Sequence, residues 1–288
     1  MAPKRQVPTV RLRRLAAELR RLRNAADLNR ETVTDKTGIN NATLYRIETA
    51  RARPQMRTLI ALLNLYEVDE EQRDYLITLC RDAATQGWLR PYHSELPEEY
   101  TAYISFEDEA QGVRNYESLI IPGLLQTEDY ARALVQGGLP SATEEEVEDR
   151  VRARMGRKGV LNKATPLKMW VVVDEAALRR IVGGVDVMRA QLDHLAEVVK
   201  VPNITFQVIR FGAGAHPGMP GQFIILDFSD PMDTDLIYID TLAGDLFLES
   251  DADIARYRAV FDNLVAVATS PNDSAALVAE IANELKKG

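Results

Sequence analysis

Four side chains between residues 41 and 46 can present hydrogen-bonding groups and a methyl group from one face of a single helix. Asn41 and Ala42 open this segment, and Tyr45 and Arg46 follow about one helical turn later. An asparagine amide can pair with adenine, an arginine guanidinium can pair with guanine or a phosphate, and an alanine methyl can contact thymine. The spacing therefore predicts a helix whose outer face reads base edges in the major groove of DNA.

A helix with that task must be held from behind by apolar side chains, and the same segment contains them. Leu44 and Ile47 fall on the inner face of the pattern. A shorter helical pattern with Asn29 as its N-cap precedes the segment. Gly38 ends this shorter helix, because glycine tolerates the left-handed conformation, and Asn40 can cap the helix that follows. The sequence therefore predicts a helix, a turn and a second helix within about twenty residues.

Three further helices are predicted around this pair. Apolar residues recur at helical spacing from Val10 to Ala26, with arginines on the opposite face. The same periodicity returns from Met56 to Leu63 and from Tyr75 to Cys80. We therefore predict an all-α domain of five helices over residues 1–85, followed by a second domain over residues 86–288.

The whole-chain net charge of −8 conceals a strongly basic N-terminal segment. Residues 1–60 carry fourteen Lys and Arg against five Asp and Glu, a net charge of +9. The rest of the chain carries twenty-one Lys and Arg against thirty-eight Asp and Glu, a net charge of −17. A basic N-terminal segment followed by an acidic remainder indicates that the N-terminal segment binds a polyanion. We predict that the DNA backbone is contacted by Arg30, Lys36, Asn40, Thr43, Arg51 and Arg53.

The second domain combines helical and strand-like patterns. Residues 98–116 are predicted to form a helix, and further helical patterns follow and close the chain. Segments rich in Val, Ile, Phe and Tyr predict strands at 167–173, 204–211, 223–228, 236–241 and 245–249. The short connections between the last three favour an antiparallel meander with helices packed on it. The fold class is therefore α+β, with a larger mixed domain built on an antiparallel sheet.

The composition excludes several classes of protein. The single cysteine, Cys80, excludes an internal disulfide framework and a multi-cysteine zinc site, and it suits a reducing cytoplasm. No apolar run approaches the roughly 20 residues of a transmembrane helix, and the N-terminal MAPKRQVPTVRLRR lacks an apolar signal segment. We therefore expect a cytoplasmic protein that binds no membrane, metal or cofactor.

Hydrolytic catalysis has few candidate residues, because its general base is usually histidine. The chain has three histidines, His93, His194 and His216. His93 falls in the connector and His194 in the middle of a helix, so both are interpreted as structural or surface residues. An active site near His216 and Asp240 is a minor alternative, and we predict that the protein is not an enzyme.

One loop of the second domain could serve a ligand or a partner. Gly212, Gly214, His216 and Gly218 lie in a Gly- and Pro-rich connection between two predicted strands. The loop is either a wide, mobile hairpin connection or a flap over a small molecule or a partner protein. Its glycines match neither GxGxxG nor the P-loop, and no helix follows to receive an anion.

The N-terminal residues resemble the lambda-repressor-like, xenobiotic-response-element class of helix-turn-helix regulators. Leu28-Asn29-Arg30-Glu31 stands where that class has Leu-Thr/Ser-Gln-Glu, and Leu44-Tyr45-Arg46-Ile47-Glu48 matches its Ile-Ser-Arg-Ile-Glu. Two residues depart from the pattern: Arg30 replaces a glutamine that commonly touches phosphate, and Thr34 replaces a small alanine. The resemblance also implies a structural ion pair between Arg23 and Glu48.

The resemblance extends over about residues 10–285. The segments 116–131, 170–179, 212–218 and 244–249 are similar to the C-terminal domain of a large actinobacterial regulator family. In that family a helix-turn-helix precedes a domain of unknown function. Its members include WhiJ-like regulators, and they are often encoded beside a small acidic protein, an arrangement compared to toxin–antitoxin pairs.

Two functions follow as hypotheses. In the first, the protein is a sequence-specific transcriptional regulator that binds a palindromic operator in double-stranded DNA as a homodimer. Its C-terminal domain would dimerise and sense a partner protein or a small ligand. In the second, it is an antitoxin-like interaction protein that binds a small acidic partner, and its DNA binding serves autoregulation.

Overall fold

A computed structural model of the 288-residue chain describes residues 9–82, 96–229, 234–242 and 244–286. The predicted domain boundary at residue 85 and the predicted structural residue His93 lie outside these ranges. The chain forms two compact units, and the helix at residues 98–109 belongs to the first of them. Within the described ranges, no helix is both long enough and apolar enough to cross a bilayer.

The first unit is entirely helical over its described residues, and the prediction of five N-terminal helices is confirmed. A sixth helix, α6, follows the undescribed connector. The bounds of the six helices are α1 Val10–Ala25, α2 Arg30–Thr37, α3 Asn41–Glu48, α4 Met56–Leu65, α5 Glu70–Asp82 and α6 Glu98–Glu109.

Local side-chain chemistry determines where α2 and α3 begin and end. The side-chain oxygen of Asn29 accepts a hydrogen bond from the Thr32 amide at 2.8 Å and caps α2. Gly38 ends α2 at φ 71°, in the left-handed region that favours glycine. The side-chain oxygen of Asn40 accepts from the Ala42 amide at 2.8 Å and starts α3. The turn between the helices is therefore encoded locally, as predicted.

The apolar faces of α1, α3, α4 and α5 meet in one core. Its fully enclosed side chains include Leu15, Leu19, Leu44, Leu59 and Leu76. Helix α6 packs on α1, where the Arg11 Nε lies 3.1 Å from a carboxylate oxygen of Glu109. This burial holds the short helices together, because a helix of eight residues is marginal by itself in water.

The second unit is built on one six-stranded sheet in the order β3-β2-β1-β4-β5-β6. Its strands are β1 Gly112–Glu117, β2 Lys168–Asp174, β3 Ile204–Ile209, β4 Phe223–Asp227, β5 Leu236–Ile239 and β6 Leu246–Leu248. Strands β1, β2 and β3 are parallel, whereas β1, β4, β5 and β6 pair antiparallel in that order. The antiparallel meander is confirmed for β4–β6, and the sheet as a whole is mixed.

The prediction of one helix over residues 98–116 is wrong in its second half. The helix ends at Glu109, and β1 begins at Gly112 in the middle of the sheet. The segment reads as polar because it includes Arg114, Asn115 and Glu117. Two of these, Asn115 and Glu117, are buried in the folded protein. Buried polar residues give a strand no apolar signature in the sequence.

Six α-helices accompany this sheet among the described residues, in the α+β arrangement predicted. They are α7 Glu128–Gly138, α8 Glu144–Arg157, α9 Glu175–Arg179, α10 Val185–Val198, α11 Asp251–Val267 and α12 Pro271–Glu284. Helix α11 covers one face of the sheet, where Phe261 and Leu264 meet Val172, Ile225 and Ile237 in a buried cluster. Val147, Val151 and Met155 of α8 pack with Val135 of α7.

Candidate nucleic-acid interface

Helix α3 has one buried face and one exposed face. Leu44 and Ile47 are 0% and 1% exposed and lie in the core of the first unit. All four predicted base-reading residues are exposed: Asn41, Ala42, Tyr45 and Arg46. The outer face therefore presents an amide, a methyl, a phenol and a guanidinium, a set of groups that can contact base edges.

The first turn of α3 holds two residues predicted to contact the DNA backbone. Asn40 is exposed, and its side-chain oxygen is already used to cap the helix. Its amide nitrogen keeps its donor capacity. Thr43 is half-buried. The start of a helix is favourable for a phosphate, because its free N–H groups and the positive end of the helix dipole attract an anion.

A buried ion-pair group fixes the C-terminal end of α3 to its neighbours. The Glu48 side chain is fully enclosed. One of its carboxylate oxygens lies 2.6 Å from Arg23 Nε, and the other lies 2.7 Å from Arg30 Nε. Arg23 also donates to the Leu28 carbonyl at 2.7 Å. The Arg23–Glu48 pair implied by the family resemblance is thus part of a larger group that joins α1, α2 and α3.

Tyr45 lies beside two cations. The Arg30 guanidinium lies 5.2 Å from the centre of the Tyr45 ring, and the Arg51 guanidinium lies 5.5 Å from it. At such distances the ring attracts a cation electrostatically and restricts its position. The sequence pattern indicated none of these contacts, because Arg30 and Tyr45 are on different helices and Arg51 follows the end of α3.

The other residues predicted to contact the DNA backbone differ in their exposure and in their contacts within the protein. Lys36 is exposed in the last turn of α2, and Arg51 is exposed beyond α3. Arg53 is exposed too, but one of its guanidinium nitrogens donates to the Cys80 carbonyl at 3.2 Å. Arg30 is half-buried by its contacts with Glu48 and Tyr45. The surface around α3 therefore combines the exposed Lys36 with guanidinium groups that contact Tyr45, Glu48 or the Cys80 carbonyl.

In the second unit, the Gly212–Gly218 loop connects β3 to β4 and packs on the sheet. The His216 side chain is 6% exposed, and its Nε2 lies 3.4 Å from a carboxylate oxygen of Asp174. Its Nδ1 is buried without a hydrogen-bond partner among the described residues. Gly218 lies so close to Tyr116 that a Cβ there would come within 2.5 Å of the ring. The loop is therefore fitted onto the residues beneath it.

The residues at the carboxyl ends of β1 and β5 form a second polar group. Glu117 is buried, and burial raises the pKa of its carboxyl to about 8, with a further contribution from the charge of Asp240. Arg154 and a hydrogen bond with Asn115 oppose this increase in the pKa. Asp240 itself is exposed. The carboxylate beside His216 is that of Asp174, with its oxygen 3.4 Å from the His216 Nε2.

His194 lies in the middle of α10, as predicted, and it is half-buried. Its Nε2 has no hydrogen-bond partner in the described part of the chain, and burial lowers the pKa of the imidazole. No group of three or more His, Cys, Asp and Glu residues is placed to hold a metal ion within the described ranges.

Comparison with known families identifies both parts of the chain. A family model described as "Helix-turn-helix domain" matches residues 14–76, and these residues span α1 to α5. A model described as "Domain of unknown function (DUF5753)" matches residues 100–280. Searches of curated proteins and of solved structures found no match. The helix-turn-helix match indicates a DNA-binding regulator. The chain belongs to the family described as domain of unknown function (DUF5753), with a helix-turn-helix domain at its N-terminus.

Proposed function

We propose that this protein is a sequence-specific transcriptional regulator whose helix α3 enters the major groove of its operator. The observation that carries the proposal is the division of α3 into two faces. Leu44 and Ile47 are buried, whereas Asn41 and Arg46 are exposed. A rigid helix with polar side chains on its outer face can read base edges, and the paired Glu48 carboxylate keeps that helix in place.

The surrounding cations would position the helix on the duplex. In this proposal Lys36, Arg51 and Arg53 contact phosphates, and Asn40 and Thr43 contact the backbone at the start of α3. Arg30 contributes a guanidinium whose direction is set by Glu48 and Tyr45. The net charge of +9 over residues 1–60 supports this assignment, because neutralising phosphates contributes much of the affinity for DNA.

The finer identity belongs to the same proposal. The resemblance of Leu44–Glu48 favours the lambda-repressor-like, xenobiotic-response-element class, and the C-terminal resemblance favours WhiJ-like actinobacterial regulators. One domain of this size contacts a single half-site, so a homodimer on a palindromic operator is the arrangement that we expect. The C-terminal domain would then dimerise and respond to a ligand or a partner.

The main test is a fluorescence anisotropy titration of the full chain with a fragment of its own promoter and a scrambled fragment of equal length. We expect the logarithm of the affinity to fall steeply with the logarithm of the salt concentration. Arg46→Ala should reduce the preference for the promoter by about 1–3 kcal/mol, which is about fivefold to 160-fold.

Arg57→Ala is the matched control. Arg57 is exposed on α4 in the same domain but outside the proposed contacts, so its removal changes the charge equally and should leave the sequence preference intact. If the variant with both Arg46→Ala and Asn41→Ala keeps the full preference for the promoter, the proposed reading face is wrong.

A second proposal, antitoxin-like binding of a small acidic partner protein, is supported by the same positive charge. An acidic surface would compete with DNA for the cations around α3. Co-purification with the product of a neighbouring gene tests this proposal, and Lys36→Glu should weaken both the DNA complex and the partner complex. A partner that binds equally well in the presence of saturating operator DNA contradicts the competition.

A further inference from the structure

A cavity of about 560 Å³ lies at the amino ends of the three parallel strands of the second unit, at the edge opposite to the His216 loop. Its walls come from β1, β2 and β3 and from the segments that precede β2 and β3. This volume is within the range of roughly 300–1,000 Å³ that is usual for small-molecule sites. Neither the proposed DNA contacts nor the His216 loop involves it.

The strand register brings an aromatic ring and two cations together on the floor of this cavity. Arg114 on β1 and Thr205 on β3 both lie beside Trp170 on β2. Lys168 is two residues before Trp170 and therefore on the same face of the strand. Its register partner on β1 is Gly112, and the Asp227 side chain of β4 lies on the other side of this glycine.

Trp170 is held in place but not covered. Its indole N–H donates to the side-chain oxygen of Gln207 at 2.9 Å, and its ring and the Phe261 ring form a T-shaped pair with centroids 5.9 Å apart. Trp170 as a whole is still 39% exposed. Because its polar atom is already satisfied inside the protein, the exposed part of the ring offers apolar and stacking contacts to a ligand.

The charges around the cavity sum to an excess of one cation. Asp227 lies 3.5 Å from Arg114 and 3.1 Å from Arg258, and Arg258 also pairs with Asp235. These two carboxylates are thus met by two guanidinium groups, and the exposed ammonium of Lys168 adds a positive charge. A local positive excess is notable because residues 61–288 carry a net charge of −17.

We propose that this cavity binds a small aromatic carboxylate, with its ring against Trp170 and its carboxylate beside Lys168 and Arg114. The indole favours a planar apolar group, the two cations favour an anion, and the volume admits a molecule of one or two rings. This site is independent of the proposed DNA-binding function, because none of its residues belongs to the helix-turn-helix domain.

The test follows the indole N–H resonance of Trp170 in the full-length chain by heteronuclear NMR, with Trp170→Phe used to assign it. The probe is naphthoate. Naphthamide is the matched neutral compound, and naphthylmethylammonium is the matched cation. We expect a saturable shift of this resonance with naphthoate and affinities at least about tenfold lower for the other two, a difference of about 1.4 kcal/mol.

Two variants locate the anion, and one serves as the control. Lys168→Gln and Arg114→Gln should each weaken naphthoate binding by about tenfold. Lys286→Gln removes the same charge from an exposed lysine beside Asp193, outside the cavity lining, and should have no effect. The proposal is overturned if naphthoate gives no saturable shift, if a matched probe binds as tightly, or if Lys168→Gln binds naphthoate as well as the natural protein does.

Discussion

The region around α3 and the carboxyl end of the parallel strands both contain a buried glutamate, and they use it in opposite ways. Glu48 is enclosed together with the cations that pair with it, Arg23 and Arg30, and this group supports an outer face of exposed polar residues. Glu117 is enclosed in surroundings that raise its pKa to about 8. Residues near Glu117 are also buried, as His216 is beside Asp174. Glu48 is therefore enclosed as a paired charge beneath an exposed polar face, whereas burial raises the pKa of Glu117.

The largest effect is expected from removing the paired carboxylate. Glu48→Ala would leave Arg23, which is 9% exposed, without its anion, and removing one partner of a buried pair costs about 3–5 kcal/mol. Urea unfolding followed by circular dichroism, with hydrogen exchange of the α3 amides, measures the change. Asp35→Asn, at an exposed carboxylate on α2, should change the free energy of unfolding by less than about 0.5 kcal/mol. Equal effects of the two substitutions would contradict the supporting role of Glu48.

In contrast to Glu48, Glu117 should make the free energy of unfolding depend on pH. Because the folded protein holds the proton up to a pKa of about 8 while the unfolded chain releases it near pH 4.5, the folded state binds more protons between these values. The free energy of unfolding should therefore fall as the pH rises through this window, by up to about 1.4 kcal/mol per pH unit from this group.

Glu117→Gln tests that prediction, because its amide does not titrate. The difference in urea midpoint between pH 5 and pH 8 should be smaller in the variant than in the natural protein. If the urea midpoint of the natural protein changes between pH 5 and pH 8 no more than that of the variant does, Glu117 is not held neutral.

A smaller effect is expected in the loop over Tyr116. Gly218→Ala would place a Cβ within 2.5 Å of the Tyr116 ring and should destabilise the second unit by about 1–3 kcal/mol. Gly212→Ala is the matched control, because its Cβ would meet no atom within 4 Å. Thermal unfolding of both variants measures the difference. If Gly218→Ala is as stable as Gly212→Ala, the loop is not packed as described.

The smallest effect separates two asparagines of the helix-turn-helix. Asn29→Ala removes the cap of α2 and should cost about 1 kcal/mol of stability. Asn41→Ala removes an exposed side chain, so it should leave the urea midpoint nearly unchanged and weaken promoter binding. A loss of stability in Asn41→Ala equal to that in Asn29→Ala would mean that Asn41 supports the fold instead of facing DNA.

The two regions also differ in how far their sequences predict them. In the first unit Asn29, Gly38 and Asn40 each act within a few residues, and all three set the ends of helices as expected. The exposed face of α3 follows from a periodicity that any amphipathic helix obeys. In the second unit the pattern over residues 98–116 predicts a helix through most of β1, because the buried polar Asn115 gives this strand no apolar signature.

Caps, turns and periodicity act over short stretches of chain, so they predict the five N-terminal helices, the two faces of α3 and the meander of β4 to β6. The folded chain was needed to show that Arg30 contacts Glu48 and Tyr45, that the His216 loop packs on Tyr116, and that Trp170 and Lys168 share a cavity. Each of these contacts joins residues whose relative placement depends on packing and strand register, and local sequence preferences do not specify either.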